Sequence, residues 1–452
     1  MRPFALRRVI AVAAACLVAL SLGAAPASAD SVIGAPIPVG SAPTSVAMSP
    51  DGTTIYATSD ALGGSVSVVD VATGAQVAAI QVGTSPVEVA FTPDGTKAYV
   101  TNSLSNTVTV IDVATRTTLA VIPVGTRPWG VAFTPDGSRA YVTNSASNTI
   151  SVIDVAFGVV VNTFPTLGST PHSVAFSPDG SVAYVANFDN QTVSAINVAS
   201  AIVISTIPVG NGPQDVAFTP DGSKVYVSNA LAASVSVISV ATRSVTKTIA
   251  IPSGTRTSGI TFTPDGTKAY VANYVGTSVT VVDTATETVT TTVTVPRRPW
   301  SIAFSLDGTR AYVPSFIDST LTVIAVDVRP VLAESAPAAT ASAAYSFATG
   351  ITVSPGTTFS VTSGSLPAGL VLDPATGTIS GTPTSAGSST FTVTATNPTG
   401  TASAEYVIVV AAAALVPVAD LAATGPSPLV PITAALGLLL LGLALQRSRR
   451  VH

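Results

Sequence analysis

Read for polarity alone, the chain is a succession of short β segments. Between residues 31 and 328, apolar and β-branched residues cluster in brief runs, each closed by Gly, Pro, Asn or Asp. Val131 to Phe133 is followed by Thr134-Pro135-Asp136-Gly137, with proline and glycine placed where a hairpin turn needs them. Arg139 to Asn144 reads as a second strand, Asn148 to Asp154 leads into and forms a third, and Gly158 to Phe164 makes a fourth. No window sustains a helical period, so strands are expected throughout.

This unit repeats. Pro-Asp-Gly recurs with its aspartate at Asp51, Asp94, Asp136, Asp179, Asp221 and Asp265, and a Leu-Asp-Gly variant follows at Asp307. Successive gaps are 43, 42, 43, 42, 44 and 42 residues. Four strands at that period predict a radial array, in which each repeat buries its apolar faces only against its neighbours. The seventh repeat supplies three strands, ending near Ala325 to Val328, while Ile33 to Gly40 matches the outer strand at Leu119 to Gly125. The N-terminal segment is therefore expected to complete the seventh blade and remove open edges. The expected fold is all-β: a seven-bladed β-propeller over residues 30–328, followed by a small immunoglobulin-like β-sandwich.

Composition matters mainly at the two ends. Arg2, Arg7 and Arg8, the apolar stretch Val9 to Leu22 and the small-residue site Ala27-Ser28-Ala29 read as a signal peptide over residues 1–29, cleaved between Ala29 and Asp30. Cys16, the only cysteine, lies within it, so the processed chain has neither disulfides nor cysteine metal sites. At the other end, Leu421-Ala422-Ala423-Thr424-Gly425 precedes an apolar run over residues 429–445 and then Arg447, Arg449 and Arg450. As a helix that run is about 25 Å long, close to a bilayer core, and the arginines hold its end on the cytoplasmic side. Motif, run and basic tail resemble a sortase sorting signal (residues 421–452) of the LPXTG-like, Leu-Ala-x-Thr-Gly form found in high-GC Gram-positive bacteria. The resemblance implies cleavage between Thr424 and Gly425, with sortase and cell-wall peptidoglycan as partners. Six of the 19 basic residues lie in these ends and none of the acidic ones do. The processed span thus carries 13 basic against 23 acidic residues, a net charge of −10 that argues against nucleic-acid binding.

Ala-Tyr-Val-Thr-Asn at Ala98 to Asn102 and Ala140 to Asn144, with Pro-Asp-Gly before and Val-Ile-Asp after, resembles the YVTN family of β-propeller repeats. Departures are local: serine replaces the asparagine at Ser59 and Ser315, and Phe157-Gly158 interrupts the third repeat. After an Ala- and Pro-rich linker (329–344), residues 345–411 carry Leu366-Pro367-Ala368-Gly369-Leu370 and Thr376-Gly377-Thr378-Ile379-Ser380-Gly381-Thr382-Pro383. These resemble an immunoglobulin-like family of bacterial surface proteins. Such a domain would serve as a stalk, with residues 412–420 as its tether.

Strand order brings the loop entering each innermost strand to one face. Just after the usual proline of that loop stand Thr44, Val87, Trp129, His172, Gln214, Ser258 and Trp300. Just before it stand Ala42, Ser85, Arg127, Thr170, Gly212, Arg256 and Arg298. Both tryptophans of the chain and the only histidine outside its tail thus share one repeat position. Stacking faces, a titratable donor and forked cations make Trp129, His172, Gln214, Trp300, Arg127, Arg256 and Arg298 the candidate ligand site. The expected ligand is a glycan, an anionic small molecule or a protein. Asn102, Asn144, Asn187, Asn229 and Asn273 are read as strand-end residues bonding neighbouring backbone in left-handed turns, and Asp70, Asp112, Asp154 and Asp283 as Asx-turn residues. Enzyme chemistry is the lesser reading: a hydrolase or lactonase using His172, Glu88 and Asp215, with no nucleophile elbow, phosphate loop or metal spacing to support it. No cofactor or metal is expected.

Overall fold

The computed structural model describes residues 30–413, apart from 61–62, 253–255, 329, 353–356 and 398–399. The signal segment to Ala29, the sorting motif Leu421 to Gly425 and the apolar run 429–445 lie outside the described residues. No helix among the described residues is long and apolar enough to cross a membrane.

Seven four-stranded antiparallel sheets form the blades of a propeller. Blade 3 is typical, with Pro128–Phe133 innermost, then Arg139–Asn144, Thr149–Asp154 and Val159–Pro165 outermost. Its two middle strands are buried almost end to end because neighbouring blades cover both faces. That is why they read as continuous apolar runs rather than clean alternation. Between blades 1 and 2, for example, Tyr56, Val66, Val68 and Ile80 pack against Val89, Ala98, Val100 and Ile111. At six of the seven seams the tyrosine of one blade meets a phenylalanine of the next edge-on, as in Tyr99–Phe133 at 5.0 Å and 76°, and at the seventh Tyr312 shares its cluster with Met48. These pairs contribute roughly 0.5–1.5 kcal/mol each beyond the area they bury.

The ring closes with the N-terminal strand. Ser31–Pro38 pairs antiparallel with Thr320–Ala325 and is the outermost strand of blade 7. Asp30 locks it: its buried carboxylate accepts from Lys268 Nζ at 3.0 Å and from the Asp327 backbone N–H at 2.7 Å.

Turn chemistry follows the residue types. In Pro-Asp-Gly, Asp94 Oδ1 accepts from Thr92 Oγ1 at 2.6 Å and Thr96 N at 3.0 Å, and Gly95 takes φ +69°. Asp112 caps its own turn from Thr115 N at 2.7 Å, an Asx turn. The asparagines behave differently from expectation. Asn144 is fully buried and donates from Nδ2 across to Thr149 Oγ1 at 3.1 Å and Ser151 Oγ at 3.0 Å. The left-handed position falls later, at Asn106, Asn148 and Gln191. The asparagine ties two strands together rather than turning the chain, and it fills the space beside Gly125, where a Cβ would lie 2.5 Å from Asn144 Cγ.

The C-terminal domain packs the sheet of Thr358–Gly364, Gly387–Asn397 and Gly400–Ala411 against Tyr345–Ala348, Thr378–Gly381 and Leu370–Leu372. Phe359, Ile379, Phe391, Val393, Tyr406 and Ile408 form its core. The segment expected to be a linker is part of this sandwich. Val331–Leu332 pairs with Gly350–Thr352, and Ala339–Thr340 runs parallel to Val410 and Ala411. Its strands are only two residues long, too short to register as a pattern in an Ala- and Pro-rich stretch.

Candidate ligand site in the central channel

In five of the seven blades the innermost strand bulges where it enters the channel. Its register against the second strand shifts between Pro86 and Val89, Pro128 and Val131, Pro171 and Val174, Pro213 and Asp215, and Thr257 and Ile260. A bulge breaks strict alternation, so two consecutive positions line the channel instead of one. The result is two layers, an aromatic mouth above an acidic floor.

The upper layer gathers most of the expected residues. Trp129, His172, Gln214, Arg256 and Trp300 line one cavity of about 220 Å³, together with Phe188 and Tyr274. Trp129 stacks on His172 at 4.4 Å and 7°, His172 on Phe188 at 4.7 Å, and Trp300 meets Tyr274 edge-on at 4.5 Å. The tryptophans are 6.4 Å apart. Neighbouring blades clamp this layer: Thr101 Oγ1 donates to the Trp129 carbonyl at 2.6 Å, and Thr143 Oγ1 to that of His172. Gly130 is required beneath, because a Cβ there would fall 2.5 Å from the His172 carbonyl oxygen.

The arginines divide. Arg256 lines the cavity, whereas Arg298 lies outside its lining, with its guanidinium carbon 5.4 Å from the centre of the Tyr274 ring. Arg127 is exposed and lies outside the residues lining either cavity. Its backbone holds a left-handed φ of +53°, as do the matching positions Ala42, Ser85 and Thr170 within a few degrees. Arg297 pairs with Asp318 at 2.7 Å.

His172 departs from its expected role as a titratable donor. It is buried between Trp129 and Phe188, with Nδ1 3.2 Å from Gln214 Oε1. Burial pulls its pKa down to about 4, so the ring is neutral at physiological pH and acts as a stacking surface.

The floor was less visible in the sequence. One residue beyond the mouth set stand Ser45, Glu88, Gly130, Ser173, Asp215, Gly259 and Ser301. Four of them cap the next blade with their side chains: Ser301 Oγ accepts from Val46 N, Ser45 Oγ from Val89 N, Glu88 Oε2 from Val131 N at 3.2 Å and Asp215 Oδ2 from Ile260 N at 2.9 Å. Serine satisfies this N–H without charge, so the two carboxylates exceed what the capping role requires. Glu88 and Asp215 line a common lower cavity of about 60 Å³, with Trp129 and Trp300 at its upper edge. Both are half-buried. Burial, followed by the charge of Asp215, pushes the Glu88 pKa up to about 8. Burial also raises Asp215, against hydrogen bonds from Ser173, Ile260 N and Val216 N that favour its ionised form. At neutral pH Glu88 therefore holds its proton.

Phe188, Tyr274 and Phe316 also escaped the sequence reading. Each follows the residue that ends a second strand, a position occupied elsewhere by Asp60, Ser103, Ser145 and Ala230. Aligning that column would have found them, since its three aromatics fall in blades 4, 6 and 7, beside His172 and Trp300.

Three family models match stretches of the chain. Residues 30–223 match the family model of a YNCE-like beta-propeller, 168–330 that of a seven-bladed beta-propeller lactonase, and 326–411 one described as "Putative Ig domain". No curated protein matches the chain. Among solved structures, a chain of Kuenenia stuttgartiensis hydrazine synthase is 25% identical with a TM-score of 0.59, the match covering 63% of this chain and 96% of that one. The chain therefore carries a β-propeller followed by an immunoglobulin-like domain.

Proposed function

We propose that this is an exported, cell-wall-anchored surface protein whose propeller is a non-enzymatic binding module, with the aromatic mouth of the channel as its contact site. One observation carries the reading: the only two tryptophans of the chain converge on a single cavity with His172, Phe188 and Tyr274. Stacked rings around an open cavity suit a sugar-sized ligand, or the exposed end of a larger one, that offers a flat or methyl-rich face. The acidic floor disfavours an anion that reaches far into the channel, so an anionic partner would have to stay at the arginine rim. Anchoring rests on the signal segment and the Leu421 to Gly425 motif, and implies sortase and peptidoglycan as partners.

The test is a glycan and cell-wall-fragment array probed with residues 30–424, the processed span. A Trp129→Ala/Trp300→Ala variant of normal melting temperature runs beside it. Binding that disappears in the variant supports the reading, and equal binding by both proteins rejects the site. Ester or lactone turnover lost in Glu88→Gln would instead favour the hydrolase reading. A structural, array-forming role has its own support in the exposed apolar side chains of successive outer strands: Leu119, Val121, Val159, Val161 and Ile202. Concentration-dependent self-association by sedimentation, abolished by Val121→Lys/Val161→Lys, would favour it.

A further inference from the structure

The floor of the channel goes beyond what a binding mouth needs. Glu88 uses one oxygen to cap Val131 N. Its Oε1 has no hydrogen-bond partner among the described residues, and the half-buried side chain lines the cavity. Asp215 enters the same cavity from blade 5. Trp129 and Trp300 line this cavity too and, with Tyr274, the larger one beside it, and aromatic ring faces attract positive charge. Tyr274 already carries one cation, the Arg298 guanidinium, which lies outside the lining of both cavities.

We propose that the channel takes up a compact organic ammonium ion, which passes the tryptophan mouth and rests its positive head against Glu88 and Asp215. The inference rests on the reading of the mouth as the ligand site and specifies the class of ligand. Other charged groups near the pair are few. His172 is neutral in its stack, Arg256 lies at the mouth, and Arg127 and Arg298 are solvent-exposed. The rim arginines are exposed and screened by water and salt, whereas the carboxylates are half-buried and screened less, so the floor decides the sign of the preferred ligand. Binding is coupled to a proton. A cation arriving at the floor favours ionised Glu88, and the displaced proton leaves to solvent. With Glu88 titrating at about 8, about 0.9 proton is released per cation bound at pH 7. Affinity for a permanently charged cation then rises about tenfold between pH 7 and pH 9.

Choline, whose charge does not change with pH, is the probe, and 3,3-dimethyl-1-butanol is its neutral carbon twin. Both are titrated into residues 30–424, reading tryptophan fluorescence, which arises only from Trp129 and Trp300. Calorimetry in two buffers of different ionisation enthalpy counts protons. Choline is expected to bind at least tenfold tighter than its twin, to tighten with pH and to release the proton. Glu88→Gln should remove the pH dependence and the proton release. Equal affinity for the two probes, binding of choline that is flat with pH in the wild type, or no fluorescence response to either overturns the proposal. Equal affinities that are both lost in Trp129→Ala/Trp300→Ala would leave the mouth a binding site and reject only the cation. The wild-type pH profile needs no variant, so a folding defect in Glu88→Gln cannot mask the answer.

Discussion

Glu88→Gln should make the propeller more stable in alkaline solution and leave it unchanged in acid. An ordinary glutamate titrates near 4.5 and this one at about 8, chiefly because burial opposes its charge. Below about pH 4.5 the carboxyl is protonated in the folded and unfolded chain alike, so wild type and variant match. Between 4.5 and 8 only the unfolded chain releases the proton, and wild-type stability falls as pH rises. Above 8 the penalty is complete and constant. At about 1.4 kcal/mol per pH unit the gap has an upper limit of about 5 kcal/mol. Water entering the lower cavity reduces this, and a gain of about 2–3 kcal/mol for the variant at pH 8.5 is expected. Glutamine is nearly isosteric and its amide oxygen still accepts from Val131 N, so the comparison isolates the charge. The assay is denaturant unfolding of both proteins from pH 4 to 9, followed by tryptophan fluorescence, which reports on the propeller alone because both tryptophans lie in it. Parallel curves across that range, or a variant weaker than wild type at pH 8.5, would refute the reasoning.

Two further outcomes follow from the same geometry. His172 titrates at about 4 in the fold against an ordinary 6.5, so it stays neutral while the unfolded chain gains a proton. Stability is therefore lost as pH falls from 6.5 to 4, by at most about 3 kcal/mol, and His172→Phe should flatten that arm of the pH profile measured by denaturant unfolding. Asn144→Ala removes two buried cross-strand hydrogen bonds and opens a void beside Gly125, and should cost about 2–4 kcal/mol in the same assay. A cost below 1 kcal/mol would return Asn144 to the role of a local turn residue.

Much of the mouth was legible because repeats align themselves. Trp129, His172 and Trp300 stand out in a column whose other members are Thr44, Val87, Gln214 and Ser258, and no structure is needed to see that they face one direction. What the column could not convey is environment. His172 looks like a titratable donor until Trp129 and Phe188 are placed on its two faces. Glu88 and Asp215 sit one residue further on, where simple alternation would turn a side chain away from the channel. The bulge that brings them in is a matter of backbone register, and single-position patterns do not show it. The sequence marks Asn144 as structural but not how it acts, because its partners Thr149 and Ser151 belong to a hairpin geometry and not to a sequence signature.

The sequence by itself determined the architecture: seven repeats of fixed length, strands buried on both faces, aspartate–glycine turns between them and an N-terminal segment shaped like a missing outer strand. Those features are local and repeat, and each recurrence reinforces the last, so period and polarity are enough to read them. Only the tertiary structure decided the chemistry of the channel. Residues from blades 2, 3, 4, 5 and 7 are far apart in the chain and meet only when the ring closes. Their pKa values and the sign of the floor depend on distances and burial that exist only once it has closed.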